Sequence, residues 1–241
     1  MRRSRRDSFH RAKTISGAAV SQRVTSWARG ELPTAWDALV VASDLQGIAT
    51  PGWGEPAALL GVSVARAIDE MDLGRVVVVL AGDLYSVPEA NKRGGFGDVS
   101  SVWEAFANVG DVVGVAGNHD DVSRVVNGTL LDGDVVDIDG VRIGGVGLVI
   151  GDEEKAGHRS EDDQLERLYD GPILSDVLVL HEGPHIDRDH EGSTAIRDAL
   201  EDARVKLVVC GHRPWSEPLA RIGRATQVLN AHERVLVLRR G

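Results

Sequence analysis

Four consecutive valines, Val76-Val77-Val78-Val79, lead into Leu80 and are apolar on both faces of an extended chain. Side chains of a strand point alternately to its two faces, so such a run suits a strand covered on both sides. It stops abruptly at Gly82-Asp83. Shorter apolar runs at 38–42, 111–116, 176–180 and 205–210 read the same way. Between them lie stretches with helical spacing, at 57–70, 101–108, 162–169 and 194–203. The run 135–138 and its successor 141–143 are separated by Asp139-Gly140, the preferred two-residue hairpin turn. Residues 227–229 and 234–238 read as closing strands. Buried strands alternating with helices predict an α/β fold.

The length of 241 residues allows a full core without covalent staples. A single cysteine excludes a disulfide framework and a thiolate zinc site. Ten aromatic residues are too few for a base-stacking platform. The longest apolar stretch, 76–81, is too short to cross a bilayer, so no membrane partner is expected. Charge is unevenly placed. Residues 1–30 carry eight basic side chains and one acid, Asp7, whereas residues 31–241 carry 19 basic and 36 acidic ones. The first segment reads as a basic N-terminal arm and residues 31–241 as one domain. Ser4-Arg5-Arg6-Asp7-Ser8-Phe9 superficially matches a twin-arginine signal, but no apolar segment follows, so a cytoplasmic location is expected. The acidic body disfavours a nucleic acid backbone, whereas its carboxylates and histidines suit divalent cations. Gly140 to Gly147 hints at a dinucleotide loop but lacks the helix such a loop requires, since 148–150 continues as a strand.

The chemistry lies where strands end. Five runs finish in residues able to bind metal: Asp44, Asp83, Asn118-His119, His181 and His212. Each alone has an ordinary reading, as a helix cap, a turn residue or a buried histidine. Together, at ends that converge in an α/β sheet, they form a candidate site. Carboxylate, amide oxygen and imidazole suit Mn, Fe or Zn rather than Ca.

The order Asp44-Leu45-Gln46, Gly82-Asp83, Gly117-Asn118-His119-Asp120, His181-Glu182, Gly211-His212 resembles the calcineurin-like metallophosphoesterase superfamily over about residues 38–238. The resemblance implies a two-sheet β-sandwich flanked by helices in four layers, αββα. It implies hydrolysis of a phosphomonoester or phosphodiester by in-line attack of a metal-bound hydroxide. Asp83 would bridge two metals; Asp44 would serve the first; Asn118, His181 and His212 would serve the second. His119 would meet the leaving oxygen, and Asp120 would orient His119 by accepting its other N–H.

Two positions depart from the superfamily pattern. Gln46 stands where the first motif carries histidine, and Pro214 where the last motif carries its second histidine. Both belong to the first metal. Gln46 still offers a carbonyl oxygen, a poorer ligand. The first site is therefore expected to be weak, empty or rebuilt from elsewhere, with His185, Asp187 and His190 as candidates, and the chain to hold one or two divalent ions. Arg213 is a candidate for holding the substrate phosphate. Trp53 and Trp215 are either pocket walls or packing residues, the 91–97 loop a flexible segment that could shape entry to the site, and Cys210 a small core residue. The competing reading is a degenerate member serving as a binding or scaffold module. A small phosphoester is the expected substrate, nucleic acid has no positive support, and neither substrate identity nor oligomeric state follows from the sequence.

Overall fold

The architecture comes from a computed structural model, which describes residues 32–49, 57–87 and 95–240 and the short strand segments at 14–15, 18–19 and 92–93. Nearly all of the basic arm, together with Trp53, Asn91 and Gly94, lies outside the described residues.

The core elements, in chain order, are β1 (Ala38–Ser43), α1 (Leu60–Asp69), β2 (Val76–Leu80), α2 (Ser100–Ala107), β3 (Asp111–Gly114), β4 (Thr129–Leu130), β5 (Asp134–Ile138), β6 (Val141–Val146), α3 (Glu161–Tyr169), β7 (Val177–Glu182), α4 (Thr194–Glu201), β8 (Leu207–Gly211), β9 (Leu219–Ile222), β10 (Thr226–Asn230) and β11 (Arg234–Arg239). They form two sheets. The first has the order β4-β3-β2-β1-β11, parallel except for β11. The second has the order β5-β6-β7-β8-β10-β9, parallel at its centre and antiparallel at both edges.

Strand alternation sorts the apolar residues into three cores. Leu39, Val41, Val77, Val79 and Val113 face Val179, Val209 and Leu229 between the sheets. The intervening Val40, Val78, Leu80 and Val112 pack under helices α1 and α2, against Val64, Ile68, Trp103 and Phe106. Leu178, Leu180, Val208 and Val228 pack under α3 and α4, against Leu168, Ile196 and Leu200. The four layers are therefore helices, sheet, sheet, helices, as the resemblance implied. Each fully buried valine of these strands contributes about 1.5–3 kcal/mol of transfer free energy.

Local sequence accounts for the helices. In α1 the buried Gly61, Val64, Ala65 and Ile68 recur at helical spacing. The first residues of the 57–70 stretch are not helical, because Ala58–Leu59 pairs with Ile48–Ala49. Ser160 caps α3 by accepting the Asp163 N–H at 3.2 Å, and three acids in its first turn complement the helix dipole. Ser193 caps α4 in the same way, by accepting the Ile196 N–H.

Three features differ from the sequence reading. Strand β7 runs on through His181 and Glu182, both buried, instead of stopping before them. Edge strands β4 and β9 have mixed, half-exposed patterns that carry no clear apolar signal. Leu148 takes a φ of 61°, which interrupts the strand expected at 148–150, and Val149–Ile150 pairs with His158–Arg159 instead. The glycines of β6 serve packing: a Cβ on Gly144 would press on the Pro172 backbone, and one on Gly145 on Leu131 and Val115.

Candidate metal centre

The loops following β1, β2 and β3 deliver Asp44, Asp83 and Asn118 from the first sheet. His181 in β7 and His212 after β8 come from the second. All five sit at the same edge of the sandwich. The chain turns sharply there: Asp44, Asp83 and His212 have φ of 54°, 57° and 64°, in the left-handed region that costs a non-glycine residue strain. Close packing holds the turns. A Cβ on Gly117 would strike the Asp83 carboxylate, and one on Gly211 would strike Ser43 Oγ and the Asp44 carboxylate.

Asp83, 4 % exposed, is the hub. Its Oδ1 lies 3.3 Å from His181 Nε2 and accepts the His119 backbone N–H at 3.0 Å. Its Oδ2 faces the other way, accepting from the Gln46 amide at 3.3 Å and lying 3.9 Å from His119 Nε2. The His181 Nδ1–H donates to the Ala81 carbonyl at 2.7 Å. In the neutral ring Nε2 is then a bare acceptor, yet it faces Asn118 Oδ1 at 3.1 Å as well as Asp83 Oδ1. Acceptors packed this closely require positive charge among them. Without a cation that charge is a proton. Burial alone would lower the His181 pKa, but the Asp83 carboxylate overrides burial and raises it to about 10. The same pair holds Asp83 at about 2, although burial pushes it upward. The His212 ring stands edge-on to His181, 5.1 Å between centroids, and stays neutral. Its pKa is lowered to about 4 by burial first and then by the charge on His181. Among the described residues, Asp83, His181 and His212 form a group whose ligand atoms all lie within 4.8 Å of one another.

Asp44 is also buried, with two fixed oxygens. Oδ2 accepts from Ser43 Oγ at 2.7 Å and from the His212 backbone N–H at 2.9 Å. Oδ1 lies 3.0 Å from His232 Nδ1. Burial raises the Asp44 pKa, but the contact with His232 and the charge of His181 bring it below its ordinary value.

A family model described as calcineurin-like phosphoesterase matches residues 39–215 and so takes in every strand end named in the sequence. The chain belongs to the calcineurin-like phosphoesterase family. Solved structures share the fold. TT1561 of Thermus thermophilus aligns with a TM-score of 0.58 at 11% identity, over 85% of this chain and 99% of that one. A hypothetical protein from the same organism aligns at 0.50 and 15% identity, over 80% and 75%. A search of curated proteins by sequence finds no match.

The expected site residues of this family member separate into three groups. Asp83, Asn118, His181 and His212 converge, and one carboxylate, one amide oxygen and two imidazoles fit a divalent cation of the borderline class. Gln46 reaches the other oxygen of Asp83, Oδ2, and Asp44 is tied to the His212 backbone and lies beside His232. Elsewhere the structure corrects the reading. Asp120 does not touch the His119 ring. Its oxygens accept the backbone N–H groups of Leu84 at 2.8 Å, Tyr85 at 3.2 Å and Gly117 at 3.0 Å. Burial, with help from Asp83, raises its pKa to about 6 against the lowering effect of the Gly117 and Leu84 donors. Asp120 thus positions the chain around Asn118, while the Gly95 carbonyl orients His119, 2.6 Å from its Nδ1. His185, Asp187 and His190 do not join the cluster. His190 pairs with Asp187 at 2.8 Å and lies edge-on to Trp215.

Trp215 is a packing residue, 2 % exposed, whose Nε1–H donates to the Glu191 carbonyl. Cys210 is fully buried, and burial followed by Asp44 pushes its thiol well above the ordinary range, so it is no nucleophile. Arg213 is exposed, and its backbone is held by Gly211 and Asn230. Its charge reaches Glu182, whose buried carboxyl is raised by desolvation and lowered in part by the Ile150 N–H and Arg213. His232, which the sequence reading passed over, also stands at the site. It follows β10, a parallel strand beside β8 ending at the same edge. Extending the strand-end rule to 227–229 would have found it.

Proposed function

We propose that this chain hydrolyses a small phosphoester, with Asp83, Asn118, His181 and His212 holding a divalent ion. The observation that carries this reading is the cluster of mutually facing acceptors, with the half-buried His119 ring at its open side. A bound ion of the Mn, Fe or Zn class would supply Lewis-acid charge to the phosphoryl oxygens and activate the attacking water. His181 is fixed for its part by the Ala81 carbonyl, which leaves Nε2 facing inward. His119 donates Nδ1–H to Gly95, which aims Nε2 across the site, where the doubly protonated ring can give its Nε2 proton to the leaving oxygen and keep the Nδ1–H. Arg213 is exposed, follows His212 directly and makes no hydrogen bond or ion pair from its side chain among the described residues, which supports a role in meeting a phosphate oxygen. The acidic body favours a small phosphomonoester or phosphodiester over long nucleic acid. Residues 31–241 act as one catalytic domain in the cytoplasm. Among the described residues no helix is long and apolar enough to cross a membrane.

The test is turnover of aryl phosphate mono- and diesters by the full chain with added Mn. Activity that needs metal and falls about 10²–10⁴-fold in His119→Ala supports hydrolysis. Metal binding without turnover of any phosphoester would instead leave a binding module.

A further inference from the structure

The second-site cluster has a signature: acceptor atoms 3.1–3.3 Å apart, facing each other with no donor of their own to spare. A second close pair of potential ligand atoms stands at this edge, Asp44 Oδ1 and His232 Nδ1, 3.0 Å apart. His232 Nδ1 is buried and, despite the short distance, has no aligned hydrogen-bond partner. The other ring nitrogen, Nε2, faces the Glu233 carboxylate at 3.6 Å. A ring that presents N–H to Glu233 leaves Nδ1 bare toward Asp44, the arrangement in which a carboxylate orients a metal-binding histidine. Asp44 is equally fixed. Ser43 and the His212 backbone occupy Oδ2, which turns Oδ1 forward. The backbone of His232 is held by Asn230 Oδ1 at 2.9 Å. Gln46 touches the nearby Oδ2 of Asp83, the oxygen turned away from His181.

We propose that His232 takes the place of the two histidines missing at Gln46 and Pro214, so that Asp44 Oδ1 and His232 Nδ1 hold a second divalent ion beside the first. His232 reaches the site from a strand end beyond residue 215, where the family match stops. The Asp44–His232 pair supplies two side-chain ligands, whereas Asp83, His181 and His212 supply three. The Asp44–His232 ion is therefore the weaker of the two.

This inference rests on the metal-centre reading but not on turnover, so its test reads metal alone. Mn is titrated into the full chain by calorimetry, with total metal checked by elemental analysis. The wild type binds two ions, one tight and one at least tenfold weaker. His232→Ala binds one, and the tight ion keeps its affinity within about threefold. His232→Asp, which restores an oxygen donor, recovers part of the second binding step. In wild-type crystals soaked with Mn, an anomalous peak lies within coordination distance of His232 Nδ1. That map decides the matter even if His232→Ala fails to fold. Two ions in His232→Ala, or a single wild-type ion remote from His232, overturns the proposal. Either result leaves hydrolysis standing if the wild type turns over. A loss from two ions to one in a chain that hydrolyses nothing leaves His232 a ligand and removes the hydrolase reading.

Discussion

Asp120 illustrates how a residue can hold a candidate site together without facing into it. Both its oxygens are spent on three backbone N–H groups that join the loops carrying Asp83 and Asn118. Asparagine at this position would keep one acceptor and turn an NH2 toward an N–H. Asp120→Asn is expected to lose about 1–3 kcal/mol of stability, measured by urea unfolding, and to weaken Mn binding by loosening Asn118. A fully stable variant with unchanged metal affinity would show that the clamp is dispensable. His181 makes a second, opposite case. Its pKa lies above the ordinary value of 6.5 in the metal-free chain, so at pH 7 the ring carries a proton that a cation must displace. Metal affinity should therefore fall as pH falls, with close to one proton released per tight ion at pH 7. Calorimetry in two buffers of different ionisation enthalpy measures that number, and a value near zero would contradict the raised pKa. The aspartates and histidines at strand ends were legible in the sequence because a strand has only one way to finish at the sheet edge. The partners of His119 and Asp120 were not, because hydrogen bonds to Gly95, Leu84 and Gly117 depend on how separate loops meet.

At the scale of elements, period-2 alternation sorted the valines of β1 and β2 between two cores, and this much the sequence carried openly. Strands β4 and β9 escaped notice because edge strands need bury only one face, and their residues mix polar and apolar without rhythm. His232 escaped for a related reason. Strand β10 ends at Asn230, and the histidine comes two residues later, at the start of the turn into β11, outside the Gly-x pattern of the ends at Asp83, Asn118 and His212. The glycines at those ends are structural requirements. Gly211→Ala would drive a Cβ into Ser43 Oγ and the Asp44 carboxylate, neither of which is free to retreat. Roughly 1–3 kcal/mol of stability should be lost, and with it the fixed direction of Asp44 Oδ1. The weaker Mn step should therefore disappear from a calorimetric titration while the tight one survives. Loss of the tight step alone would place the damage elsewhere.

For the whole molecule, the metal centre lies at the seam of the sandwich. Asp44, Asp83 and Asn118 belong to one sheet, and His181, His212 and His232 to the other. An ion bound by the native chain and not by the unfolded one adds stability by mass action, about 2.7 kcal/mol at a hundred times its dissociation constant. For a chain of this size that is a rise of roughly 5–10 °C in melting temperature, reversed by EDTA. A melting curve indifferent to Mn and to chelator would argue against a site built from folded ligands. The seam position has a mechanical side as well. Between the sheets the contact is apolar and non-directional, able to slide; ligand bonds from both sheets to one ion are not. A cation bound there would act as a removable rivet that closes long loops of the chain at a single point. Amide exchange should accordingly slow in β2 and β7 together on adding metal, as two halves of one sandwich are pinned.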